Sequence, residues 1–125
     1  MDTKVIDTWH QVVESRDMSA LNELLADDVT FHSPVAYTPQ KGRAITLQYL
    51  TAAFGVLFNE TFRYEREIVN DRDAVLEFSV EIDGIVVNGV DMIRWDDSGK
   101  IIDFKVMLRP LKAINLIHQL MAARL

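Results

Sequence analysis

Apolar residues recur at spacings of three and four through Val5, Ile6, Trp9, Val12 and Val13, with Asp7, His10, Gln11 and Glu14 between them. This pattern predicts an amphipathic first helix. Asp17 is placed to cap a second, shorter helix carrying Met18, Leu21, Leu24 and Leu25, which Ala26-Asp27-Asp28 should end. Val29 to Ser33 reads as a short strand stopped by Pro34, and Pro34 to Gly42 as a compact loop. Leu47, Leu50, Phe54, Leu57 and Phe58 restore the helical period. Beyond Asn59 the period falls to two across Phe62–Ile68, Ala74–Ile82, Ile85–Trp95 and Ile101–Leu108, separated by Asn70–Asp73, Asp83-Gly84 and Asp96–Gly99. Strands joined by such short turns pair antiparallel, because a parallel pair needs a crossover of about a dozen residues. Pro110 suits the start of a last helix with Leu111, Ile114, Ile117 and Met121 on one stripe. The fold class is α+β, in one domain over residues 1–125.

Composition narrows what such a domain can do. Thirteen Lys and Arg against 19 Asp and Glu leave a net charge of −6, which disfavours binding to a phosphate backbone, so no nucleic-acid partner is expected. The chain has no Cys, which excludes disulfides, thiolate nucleophiles and Cys-based metal sites. No apolar run approaches the roughly 20 residues of a membrane span. Met1-Asp2-Thr3-Lys4 leads into an amphipathic pattern rather than a signal-peptide core, so the expected location is cytoplasmic, with no membrane partner.

Candidate chemistry is sparse. Alternation along Ile85–Trp95 puts Val87, Gly89, Asp91, Ile93 and Trp95 on one face, so Asp91 sits among apolar neighbours. Lost hydration raises the pKa of such a carboxyl, and it can then donate a hydrogen bond when neutral or act as a base when ionised. The structural alternative is a buried Asp paired with Arg or Tyr. Either His32 or Ser33 points inward from the first strand; an inward His32 is a candidate general base, and an outward one a half-buried His bonded to backbone. Lys105 and Arg109 share a face with Asp103 and Met107, which fits a solvated face better than an anion site. Asp7, His10 and Glu14 could in principle face one metal ion, but the signal is weak: there is no H-E-x-x-H, a solvated helix face with one i,i+4 pair explains them at little cost, and no metal or organic cofactor is expected. The glycines form no nucleotide-binding motif, and Ser33 lacks a nucleophile-elbow context.

Three stretches then carry a family likeness: Leu25-Ala26-Asp27-Asp28-Val29-Thr30-Phe31-His32-Ser33-Pro34, Gly42-Arg43-Ala44-Ile45, and Gly89-Val90-Asp91-Met92-Ile93-Arg94-Trp95 followed by Ser98-Gly99-Lys100-Ile101. In order and spacing the chain, from Val5 to about Arg109, resembles the nuclear transport factor 2-like superfamily, in the branch holding ketosteroid isomerases and SnoaL-like polyketide cyclases. The resemblance implies a cone-shaped fold, a curved antiparallel sheet wrapped around three N-terminal helices with a C-terminal helix added, and an apolar interior that holds a small molecule. By position, the oxyanion-hole Asp of ketosteroid isomerase falls at Asp91, its Tyr at Trp9 and its base Asp at Ser33. Trp9 offers an indole N–H, but Ser33 cannot take a proton from carbon as a carboxylate does, which argues against true ketosteroid isomerase activity.

The expected function is cofactor-independent acid/base chemistry on a small apolar carbonyl or polyketide-like compound. Asp91 and His32 would be its catalytic residues. Trp9, Val12, Phe31, Ser33, Tyr37, Tyr49, Phe54, Val87 and Met107 would surround the ligand. The alternative is a non-catalytic ligand-binding or dimerisation module in which Asp91 only satisfies a buried partner. The resemblance also implies a two-fold homodimer through the outer sheet face, with Val86, Val90 and Met92 near its centre.

Overall fold

The computed structural model describes residues 3–125; Met1 and Asp2, at the head of the segment read as non-secretory, lie outside the described residues. Helix α1 (Lys4–Ser15) buries Val5, Ile6, Trp9 and Val12 along the expected stripe and ends where Arg16 turns left-handed. Asp17 caps α2 (Met18–Leu24) by accepting the Ser19 and Ala20 N–H groups at 3.0 and 3.2 Å. The helix stops at Leu24 rather than at Asp28, and strand β1 runs Leu25–His32. Leu25 is fully buried beside Ile101, while Asp27 and Asp28 face solvent where the register shifts. An extended chain lets Leu25 reach the core while both carboxylates stay wet, which a further helical turn would not.

Inside the expected loop, Gln40–Lys41 forms a two-residue strand, β2, against Thr30 and Phe31. Gly42 follows at φ +108°, a conformation L side chains rarely adopt, and its N–H bonds to the Val29 carbonyl at 2.8 Å. That turn starts α3 (Arg43–Leu57) across the sheet. Strands β3 (Arg63–Val69), β4 (Asp73–Ile82), β5 (Ile85–Trp95) and β6 (Ile101–Arg109) form the expected meander, and α4 (Leu111–Ala122) follows Pro110.

The sheet order is β2-β1-β6-β5-β4-β3, curved and unclosed. All neighbours are antiparallel except β1 and β6, which run parallel, so the sheet is mixed. The long path through α3 and the meander supplies the crossover that such a pair requires. Its inner face carries rows of residues in register: Tyr64, Phe78, Gly89 and Leu108; then Leu76, Asp91 and Val106; then Ile93, Phe104 and Phe31. Trp9 meets Phe104 and Phe54 at ring-centroid distances of 5.0 and 5.7 Å, which seats α1 and α3 on this face.

Candidate functional site

Between the concave face of the sheet, α1, α3 and α4 lies a cavity of about 230 Å³. Its walls are mostly aromatic and aliphatic, with Phe31, Phe54, Phe58, Phe62, Phe78, Phe104 and Leu108 contributing, and Ile117, His118, Met121 and Leu125 closing one side. Among the described residues Asp91 is the one acidic side chain in this lining. Gly89, one inward position before it, is what lets the wall close: a Cβ there would stand 2.6 Å from Leu108 Cδ2, 2.7 Å from Phe78 Cζ and 2.8 Å from the Met107 carbonyl oxygen.

Asp91 is 7% exposed and is held by a short chain of hydrogen bonds. Trp9 Nε1 donates to Tyr64 Oη at 2.9 Å, and Tyr64 Oη donates to Asp91 Oδ2 at 3.0 Å. Burial pushes the Asp91 carboxyl up to about 7, against which the Tyr64 hydrogen bond pulls down. Burial, and then the nearby Asp91 charge, hold Tyr64 well above the ordinary range of a phenol. Near neutral pH the cavity therefore contains a carboxyl poised between its two forms beside a tyrosine that keeps its proton. Both the buried Asp–Tyr pair of the structural alternative and a polar group opening on a cavity are present in one residue.

The remaining expected site residues divide by position. Trp9, Phe31, Ser33, Tyr49 and Phe54 line the cavity. His32 does not: it points to the opposite face of β1 from Phe31, where Nε2 lies 2.9 Å from Asp103 Oδ1. Strand alternation settles the choice the sequence leaves open, in favour of Ser33. The Ser33 hydroxyl oxygen accepts the Val35 N–H at 3.1 Å. This bend turns Pro34, Val35 and Ala36 toward the cavity, whereas Tyr37 passes into solvent at 99% exposure and does not line this cavity. Met107 is 48% exposed on the outer face, since alternation gives the lining to Val106 and Leu108. Val12 and Val87 are sealed in the core away from the cavity, Val87 beside its cross-strand neighbour Val80. The Trp9 indole N–H, expected as a donor to ligand, is occupied by Tyr64.

Asp7, His10 and Glu14 do not converge. His10 Nε2 lies 2.6 Å from Glu67 and Asp7 accepts from Thr3, and among the described residues no group of His, Asp and Glu could hold a metal ion. No helix among them is long and apolar enough to cross a membrane. Sequence reasoning missed Tyr64 and His118. Tyr64 carried one signal, since it stands two residues after Phe62 and so shares that residue's face.

Comparison with known proteins agrees with this architecture. The SnoaL-like domain signature matches residues 6–104. A steroid delta-isomerase from Pseudomonas aeruginosa is 35% identical, with a TM-score of 0.91 covering 99% of this chain and 93% of that one. A protein with a cystatin-like fold from Silicibacter pomeroyi DSS-3 is 33% identical, with a TM-score of 0.89 over 97% of this chain and 84% of that one. The epoxide hydrolase/cyclase-like enzyme SalBIII shares the fold at 19% identity, with a TM-score of 0.68 over 86% of this chain and 89% of that one. No curated protein sequence matches. With the signature running from the first turn of α1 into β6, and two solved relatives above 30% identity over nearly all its length, the chain belongs to the SnoaL-like family of the nuclear transport factor 2-like superfamily.

Proposed function

We propose that this protein binds a small, largely apolar carbonyl or polyketide-like compound under α4 and moves a proton to and from the carbon beside the carbonyl, with Asp91 as the proton carrier and no cofactor. One observation carries the reading: the one acidic side chain that the described residues contribute to a mostly apolar lining is pushed up to about 7 by burial. A carboxylate of that basicity takes a proton from carbon more readily than an ordinary one, and near neutral pH it is also acidic enough to return it. In the forward step a C–H bond breaks, the proton joins Asp91, and the electron pair moves onto the carbonyl oxygen as an enolate. Return of the proton to another carbon of that system completes an isomerisation; for ring closure the enolate carbon instead attacks a second carbonyl carbon of the same molecule, and the proton held by Asp91 goes to the alkoxide that forms. Ser33 and Tyr49 can serve the enolate oxygen: the Ser33 oxygen accepts from Val35 and so keeps its own proton to donate, and Tyr49 also lines the cavity. Ser33, at the position where ketosteroid isomerases carry their base, thus has a donor's role, and the carboxyl at the oxyanion position is the base.

Size limits the substrate. A cavity of about 150 Å³ accommodates benzene, so about 230 Å³ suits one ring or two. The steroid named for the Pseudomonas relative is larger, and would require His118, Met121 and Leu125 to move aside. That relative supports the isomerase class and leaves the substrate to the dimensions of this cavity.

The test is deuterium uptake by 2-tetralone in D₂O, followed by the loss of its α-proton signals, with a Δ5-3-keto steroid as comparison. The wild type is expected to speed exchange of the bicyclic ketone more than that of the steroid, and Asp91→Asn to slow it by about 100-fold or more. Tight binding without exchange would favour the second reading, a non-catalytic ligand-binding module. The observation on its side is that among the described residues the lining offers no second acidic side chain.

A further inference from the structure

Trp9, Tyr64 and Asp91 form a line of hydrogen bonds whose direction is fixed by chemistry. An indole nitrogen donates and never accepts. Tyr64 Oη is therefore the acceptor of the 2.9 Å contact with Trp9, and its single proton goes to Asp91 Oδ2 at 3.0 Å. We propose that Trp9 and Tyr64 are positioning residues that confine the exchangeable Asp91 proton to Oδ1, so that the carboxyl meets a bound molecule through that atom alone. The proposal rests on the reading of Asp91 as proton carrier, and adds to it the atom used and the residues that select it.

The two oxygens of a carboxyl are equivalent until something distinguishes them. Here a proton on Oδ2 would face the Tyr64 proton, and that proton cannot turn back, because the Trp9 N–H already points at the phenol oxygen. The neutral acid thus carries its proton on Oδ1, and the ionised acid keeps its free lone pairs there. Among the described residues Oδ1 has no hydrogen-bond partner, yet it is not sealed off. The side chains around the cavity, Phe54, Phe78, Phe104 and Leu108 among them, offer nothing to compete for it. The groups facing this line are few. Glu67 of β3 acts on Tyr64 through its charge and is paired with His10 of α1, whose ring lies 5.1 Å from that of Tyr64. His118 of α4 and Tyr49 of α3 stand across the cavity, and the inner face of β6 presents Phe104, Val106 and Leu108.

Carbon-13 NMR of the whole protein labelled at Asp side-chain carboxyls, with proton NMR of the Trp indoles, tests this without any ligand. In Tyr64→Phe the ring remains, but the ionised carboxyl loses its donor and the indole its acceptor. The Asp91 midpoint is expected to rise by about one pH unit or more, and the Trp9 indole proton to shift upfield and exchange faster. In the wild type alone, the Tyr64 hydroxyl proton should move downfield with the same midpoint as the Asp91 carboxyl. An Asp91 midpoint that stays or falls in Tyr64→Phe overturns the proposal, and so does a Tyr64 hydroxyl proton that ignores the titration, even if the variant does not fold. Failure of ketone exchange with these shifts intact would count against the proposed function and leave the positioning roles standing.

Discussion

A carboxyl with a folded pKa near 7 burdens the fold in a pH-dependent way, and the sign follows from where the proton resides. Below about pH 4 Asp91 is protonated in both states. Between about 4 and 7 the unfolded chain ionises while the folded chain keeps its proton, so each rise in pH favours unfolding, and the loss is complete above about 7. At about 1.4 kcal/mol per pH unit the loss is on the order of 4 kcal/mol. Asp91→Asn removes the titration while keeping the shape and an acceptor for Tyr64. Its stability in urea should equal or exceed that of the wild type at pH 8, and the difference should shrink toward pH 4. A wild-type advantage at pH 8 would mean that the ionised carboxyl is stabilised by partners other than those described. Such a residue is legible at this scale: alternation alone placed Asp91 inward among apolar neighbours. Its partner Tyr64 was not, because the contact spans 27 positions and depends on the pairing registers of β3, β4 and β5.

Among the elements, strand faces were read well and strand ends poorly. The inward set Val87, Gly89, Asp91, Ile93 and Trp95 is the buried set of β5, since one wet and one dry face impose a period of two. The parallel pairing of β1 with β6, the early start of β1 at Leu25 and the short β2 depend on what the distant chain offers as a neighbour, which no local pattern records. Met107 and Tyr37 lie outside the cavity for related reasons: one sits a single residue off the inner face, and the other follows the bend held by the Ser33–Val35 bond. Gly89 gives the element-scale prediction. A Cβ there meets a backbone carbonyl of β6 as well as Phe78 and Leu108, so the strand pair itself must give way. Gly89→Ala is expected to lose about 1–3 kcal/mol in a urea titration and to weaken 2-tetralone binding. An unchanged midpoint would show that β5 and β6 separate at little cost.

Over the whole molecule the two faces of the sheet have different work. The inner face builds the cavity, while the outer face carries Val86 at 57% exposure and Met107 at 48%, with half-buried Val90, paired to Met107, and half-buried Met92 on the same face. Polar groups surround these: Asn88 donates to Glu77, and Arg109 to Asn88. An apolar centre with a polar rim is the composition of a protein interface, and we propose that two copies pair through this face. Val90→Glu should then give one chain's mass by light scattering at micromolar concentration where the wild type gives two; a wild type of one chain's mass would refute the pairing. The catalytic account faces its most direct test in the pH dependence of 2-tetralone exchange, taken as the wild-type rate less that of Asp91→Asn. The account predicts a rate that rises through a midpoint near pH 7 to a plateau, as ionised Asp91 becomes the base. A rate that falls as pH rises through 7, or one that Asp91→Asn leaves unchanged, would contradict it.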